Sequence, residues 1–202
     1  MSERLPELPP GDMTPARREF AATFTTGRRA SSDATFRLAR PDGTLIGPPA
    51  IWVQQPALGM ALQHLGGEVR YGLGLSDRAA EAVVLVIAER ERSPFELFAH
   101  VQAAARAGWS DDDIAVIRAG GEPAGASDDE LAALRIGTRL HERALDAAEF
   151  ADAVERLGGG ALGRERLFEL TTLVGYYRML ALQLAVFGVE PPLTTSYDNP
   201  TV

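Results

Sequence analysis

The chain has 202 residues, 46% of them hydrophobic and 24% charged, with a formal net charge of −8 and a pI near 4.9. That length predicts one full-sized core rather than two domains, and the acidic balance lacks the basic face that a nucleic-acid partner needs. The absence of cysteine excludes disulfides, thiolate nucleophiles, cysteine-based zinc sites and a thiol peroxidase cycle.

The opening MSERLPELPPGDM has no apolar stretch of the kind a secretory signal carries, so a cytoplasmic location is expected. Residues 1–13 are Pro-rich and polar and predict an N-terminal arm. Thr14-Pro15 supplies an N-cap followed by proline at the first helical position, which predicts a short helix to about Thr26. Residues 27–49 carry Ser, Asp, Gly and Pro among scattered apolar residues. A loop of that length reads either as a lid over a pocket or as a surface insertion. A helix is predicted over Pro56–Tyr71, with Leu58, Leu62, Leu65 and Val69 at helical spacing and Gly72 and Gly74 to stop it.

The next helix starts at Ser76 or Asp77 and runs to about Arg92. Its valines fit a strand, but its length and alanine content favour a buried helix. Ser93-Pro94-Phe95-Glu96 opens a further helix ending near Gly108. Ser110 with Asp113 and Ser127 with Glu130 read as capping boxes, the first for a short helix ending at Gly120-Gly121, the second for a longer one through about Ala144. Asp146 caps another, closed by Gly158-Gly159-Gly160. The most apolar segment, about Leu162 to Phe187, approaches membrane-spanning length. Glu169, Arg178 and Gln183 interrupt it, so it reads as a core or oligomer-interface helix and no membrane partner is expected. Residues 190–202 predict an extended tail. The fold class is all-α, with a single domain over residues 1–202.

The chemistry concentrates between Ser76 and Gly120. Glu81 sits in an apolar helical run, where desolvation is expected to raise its pKa into the range useful for proton transfer. A structural ion pair with Arg78 or another arginine is the other reading, because a lone buried carboxylate costs several kcal/mol. Glu96 and His100 follow on the next helix at i and i+4, with the acid N-terminal, a favourable pair on any helix. Ser93 and Glu96 also fit a capping box with proline at the first helical position, which leaves two roles open for each. His141, on a face with Leu134, Thr138 and Leu145, reads as a satisfied core histidine, and His64 as a rim residue. Tyr176 and Tyr177 fit either packing or a site, and Asp111–Asp113 reads as a helix start favoured by the dipole. No metal-ligand spacing appears, so no metal or other cofactor is expected.

The order Glu81-x11-Ser93-x2-Glu96-x3-His100 resembles the carboxymuconolactone decarboxylase and AhpD-like superfamily, whose alkylhydroperoxidase branch carries Glu-x11-Cys-x2-Cys-x3-His. RLPELPPGDMTPARREF, DGTLIGPPAIWVQQPAL, RYGLGLSDRAAE and LVGYYRMLALQLAVF resemble the longer decarboxylase-like members, so the likeness covers roughly residues 3–189. It implies an AhpD-like helical bundle, a trimeric or hexameric homo-oligomer, and cofactor-free chemistry on a small acidic, lactone-like substrate. Both cysteine positions are filled by Ser93 and Glu96, which contradicts any peroxidase or peroxiredoxin-like label given by similarity. What survives is proton transfer. His100 is the expected general acid/base, Glu81 a second proton-transfer or orienting group, and Glu96 an assisting group, with Ser93 and Tyr177 against the substrate. Arg92 or Arg178 is the expected anchor for substrate carboxylates. The rival reading is a non-catalytic scaffold or binding member, in which Phe95, Phe98 or Trp109 fills the space a catalyst keeps open.

Overall fold

The computed structural model describes residues 4–25 and 37–192. The first part of the predicted 27–49 loop, to residue 36, and the tail from residue 193 lie outside the described residues, as do residues 1–3. In chain order the helices are α1 (Pro15–Thr25), α2 (Pro48–Trp52), α3 (Pro56–Tyr71), α4 (Asp77–Arg90), α5 (Pro94–Arg106), α6 (Asp111–Arg118), α7 (Asp128–Glu142), α8 (Ala147–Arg156) and α9 (Gly160–Phe187). Among the described residues the only extended pairing is an isolated bridge between Ala39 and Leu45, so the all-α expectation holds. The chain separates into two compact units, residues 1–65 with 182–202 and residues 66–181, and the boundaries fall inside α3 and α9.

In the first unit, part of the predicted loop is helical. Gly47, at φ 65, turns the chain, and Pro48-Pro49 start α2, where the fixed φ of proline suits a first helical turn. α2 delivers Trp52, whose ring packs 6.5 Å from Phe24, itself edge-on to Phe20 at 5.2 Å. The Trp52 indole N–H donates to Gln183 Oε1 at 2.9 Å, satisfying the one polar atom of a buried aromatic. Gly59 permits this packing, because a Cβ there would stand 2.8 Å from the Trp52 carbonyl.

The second unit is organised around α4, which packs against α5, α6 and α7. Ala79 and every residue from Ala82 to Ala88 are buried, so this short run is apolar on nearly all sides, as a central helix must be. Leu85, Ile117 and Trp109 lie in one core cluster, and burial of each large side chain contributes about 1.5–3 kcal/mol. At Gly137 a Cβ would meet Val83 Cγ1 at 2.6 Å, and the missing side chain lets α7 approach α4 closely. Arg78 ties the start of α4 to its surroundings. Its Nε donates to Glu130 Oε1 at 2.7 Å and its Nη1 to the Gly108 carbonyl at 2.6 Å, while its guanidinium lies 3.8 Å from the Trp109 ring centroid.

Capping boxes form at Ser110/Asp113, Ser127/Glu130 and Asp146/Glu149, satisfying backbone N–H groups that a helix start leaves without intrahelical partners. By length and composition α9 is able to cross a membrane; its most apolar window has a mean hydropathy of 1.3 and is 44% buried. Leu167, Leu170, Leu173 and Val174 form its inner face within the second unit.

Candidate functional site

Helix α4 carries Glu81 and helix α5 carries Glu96 and His100, and the turn between them decides whether the three meet. α4 ends in a paired reversal: Arg92 N–H donates to the Glu89 carbonyl at 3.1 Å and Ser93 N–H to the Ala88 carbonyl at 2.9 Å. This closure needs a left-handed residue after the cap, usually glycine. Here it is Arg92, at φ 52, a conformation costing about 1–2 kcal/mol for a residue with a Cβ.

The reversal brings the acid and base groups together. His100 Nδ1 lies 2.6 Å from Glu81 Oε2, and His100 Nε2 lies 3.3 Å from Glu96 Oε2. His100, Glu96 and Ser93 are each only 4% exposed. The imidazole is therefore held between two carboxylates, and the two contacts are unequal. Tyr177 packs edge-on against His100 with centroids 4.9 Å apart, and Tyr176 stands against Tyr177 in the same fashion at 5.5 Å.

Pairing overrides desolvation throughout. Burial pushes the His100 pKa down, but the Glu81 carboxylate and its hydrogen bond, with help from Glu96, raise it from 6.5 to about 9. Glu81 runs opposite to expectation. Burial pushes its carboxyl up, yet His100 and then Arg70 outweigh that and hold it below the usual carboxylate range. An isolated carboxylate in an apolar helix would rise; this one has a cation at each oxygen. Burial, reinforced by Glu81, drives the Tyr177 phenol well upward, so its hydroxyl stays protonated. At neutral pH the site thus holds an imidazolium with both N–H groups directed at carboxylates.

Arg70, in the last turn of α3, is the arginine that sequence reasoning missed. Its Nη1 lies 3.6 Å from Glu81 Oε1. Burial lowers its pKa, but Tyr177, Glu81 and Tyr71 together raise it, and it remains charged. Arg78, the structural partner considered for Glu81, binds Glu130 instead. The two expected anchors fall elsewhere. The Arg92 side chain is exposed, and Arg178 is half exposed and paired at 3.1 Å with Glu91, which also receives His141 Nε2 at 2.9 Å. His141 therefore belongs to a half-buried ion cluster rather than to the core, and His64 is exposed.

The capping box predicted at Ser93–Glu96 does not form. Ser93 is the N-cap of α5 but its side chain makes no capping bond, and its buried Oγ has no hydrogen-bond partner among the described residues. Glu96 has turned toward His100, one helical turn further on, where a charge-assisted contact outcompetes a neutral backbone N–H. Among the described residues no group of three or more His, Asp or Glu side chains is placed to hold a metal ion. A cavity of about 370 Å³ lies in the second unit, lined by Ser76, Ala79, Ser127, Glu130, Arg156 and Arg166 among others. None of Glu81, Glu96 and His100 lines it.

A helical protein with a Glu–His–Glu group, its histidine and one glutamate buried, carried on two successive helices is the class that fold and site define together. Residues 56–139, which contain Arg70, Glu81, Ser93, Glu96 and His100, match the model of the Carboxymuconolactone decarboxylase family. Over this segment the chain is similar to that family, in keeping with the AhpD-like superfamily. No curated protein and no solved structure matches the chain.

Proposed function

We propose that this protein is a cofactor-independent acid–base enzyme resembling carboxymuconolactone decarboxylases, acting on a small carboxylated, lactone-like substrate. The observation that carries this reading is the His100 imidazolium, held at 2.6 Å by Glu81 and at 3.3 Å by Glu96. A structural ion pair needs one carboxylate. A second, longer contact gives the ring a partner it can release without losing its orientation. Nδ1 stays on Glu81, which sets the ring's position, and the Nε2 proton is the one available for delivery, directly or through Glu96.

In decarboxylation of an unsaturated lactone acid, the bond between ring carbon and carboxylate breaks and CO2 leaves. The bonding pair moves into the conjugated carbonyl, and a proton is then added at carbon. With a pKa raised to about 9, His100 begins the cycle as the acid rather than the base. Arg70 and the Glu81 carboxylate neutralise each other beside the ring, so the group around His100 presents little net charge to an anionic substrate. The test is turnover by the wild type and by His100→Ala across a panel of small unsaturated lactone acids. A loss of at least 100-fold is expected from removing a general acid, and unchanged turnover in the variant refutes the mechanism.

A binding-only reading rests on a separate observation: the 370 Å³ cavity is lined by other residues, while Phe95 and Trp109 are buried. Absence of turnover by the wild type across the panel would favour it. Self-association belongs to either reading, since α9 leaves Leu162 and Phe168 exposed, Phe168 at 71%. A second copy of the chain is one partner able to cover such side chains. Sedimentation at micromolar concentration is expected to show an oligomer, and a monomer would overturn this part.

A further inference from the structure

We infer that the start of α5 is an oxyanion-binding site, in which the Ser93 hydroxyl donates to the substrate oxygen that gains charge as the C–C bond breaks. This rests on the acid–base reading above and supplies what that reading lacks, a group for the developing negative charge.

The starting observation is a conflict with ordinary packing. Ser93 is 4% exposed, and its Oγ has no partner among the described residues. A buried hydroxyl left unpaired costs about 1–3 kcal/mol. The usual remedy was within reach, because a serine N-cap accepts from a backbone N–H one turn on. Ser76, Ser110 and Ser127 do so at 3.1, 3.1 and 3.3 Å. At Ser93 the side chain caps nothing, and the first-turn acid that would complete a box, Glu96, faces His100 instead.

The surroundings favour an anion. α5 spans 13 residues, so its N-terminus presents the positive end of a full helix dipole. Pro94 occupies the first helical position and brings no N–H of its own, so the serine hydroxyl adds a donor beside the backbone N–H groups of the following residues. Ser93 and Glu96 stand at i and i+3 and share a face. Both are buried at the start of the helix that carries His100, so the proposed oxyanion site lies at the end of α5 from which Glu96 reaches the histidine.

Ser93 is not a nucleophile in this arrangement. Activating a serine takes a base within hydrogen-bond reach, and both nitrogens of His100 are engaged by carboxylates. No bond to Oγ forms. The electron pair released with CO2 passes through the conjugated system to the carbonyl oxygen, Ser93 Oγ–H donates to that oxygen, and the His100 proton then adds at carbon.

Ser93→Ala separates this role from capping, because the two predict opposite signs. Loss of an oxyanion donor lowers kcat by about 100- to 1,000-fold with KM nearly unchanged. Removal of an unpaired buried hydroxyl raises Tm, by about 2–4 °C for a chain of this size. A lower Tm with unchanged kcat means that the serine is a cap and overturns the inference. Full activity in Ser93→Ala alongside lost activity in His100→Ala overturns it while leaving the acid–base reading intact. If the wild type turns over no lactone acid, the acid–base reading fails and 2-furoate becomes the probe. Millimolar 2-furoate is then expected to raise the Tm of the wild type and not that of Ser93→Ala, and equal shifts or none in the two proteins overturn the site as well.

Discussion

Replacing Glu81 with glutamine keeps the side-chain volume and removes one charge, and it tests how the site holds its proton. The Glu81 carboxylate and its 2.6 Å hydrogen bond are the leading causes that raise the His100 pKa from 6.5 to about 9. A rise of that size stabilises the folded protein by roughly 3 kcal/mol. Its sign follows from linkage. The contribution is complete below pH 6.5, where His100 is protonated in both the folded and unfolded chains, and it is lost as pH rises through about 9. About 1.4 kcal/mol of it remains at pH 8. Glu81 acts at the other end, since its lowered pKa adds stability above the ordinary 4.5 that disappears as pH falls through the folded value. Wild-type stability should therefore peak between about pH 4.5 and 6.5 and decline toward pH 9. In Glu81→Gln, burial acts on His100 with only Glu96 opposing, and its pKa is expected to fall below about 7. The chain contains only three histidines, so the imidazole C–H resonances can be followed by NMR titration, with urea unfolding at several pH values beside it. The variant should lose roughly 3 kcal/mol at pH 6 and show a flat profile between pH 7 and 9. A His100 pKa still above 8 in Glu81→Gln would refute the assignment of Glu81 as the controlling partner.

Arg78→Met removes two close hydrogen bonds and the stacking on Trp109, leaving Glu130 without its cation; a loss of about 2–4 kcal/mol is expected in urea unfolding followed by circular dichroism. Less than 1 kcal/mol would mean that the arginine only decorates the surface. The glycines of α9 supply a matched pair. A Cβ at Gly163 would stand 2.0 Å from the Val154 carbonyl oxygen, whereas one at Gly175 meets nothing within 4 Å. Gly163→Ala should therefore cost at least about 3 kcal/mol or fail to fold, because the obstacle is backbone. Gly175→Ala should gain about 0.5–1 kcal/mol from helix propensity, and thermal unfolding of the two variants side by side checks both signs.

Much of the helical framework was legible because local chemistry marks its ends. Pro56 and the Gly72–Gly74 stop bound α3 as expected, and the serine and aspartate caps place α6, α7 and α8 within a residue or two. α2 escaped notice since Pro48-Pro49 reads as loop until Gly47 is seen to turn the chain into a helix. The spacing of Glu81, Glu96 and His100 singled out the right neighbourhood. It left Arg70 unseen, because an arginine in the last turn of an amphipathic helix carries the same local signature whether it faces water or a carboxylate on the next helix. The S-x-x-E pattern shows the same limit. Ser127 and Glu130 form a box, while Ser93 and Glu96 do not, and what separates them is a histidine four residues beyond Glu96 and the burial of both side chains. The direction of the Glu81 shift was likewise unreadable, since it depends on two cations that tertiary packing supplies.

The left-handed turn at Arg92 fixes the rotational phase of α5 against α4. An insertion between Arg90 and Pro94 would fall in this turn, outside either helix, and would break the closure that holds His100 2.6 Å from Glu81. The eleven-residue gap therefore tolerates substitution but not a change of length. Positions 93 and 96 sit just past this locked turn, where one side chain can be exchanged for another without disturbing the phase. A different group at position 96 would meet the same histidine in the same orientation, so the architecture keeps the geometry of proton delivery separate from the choice of group that uses it.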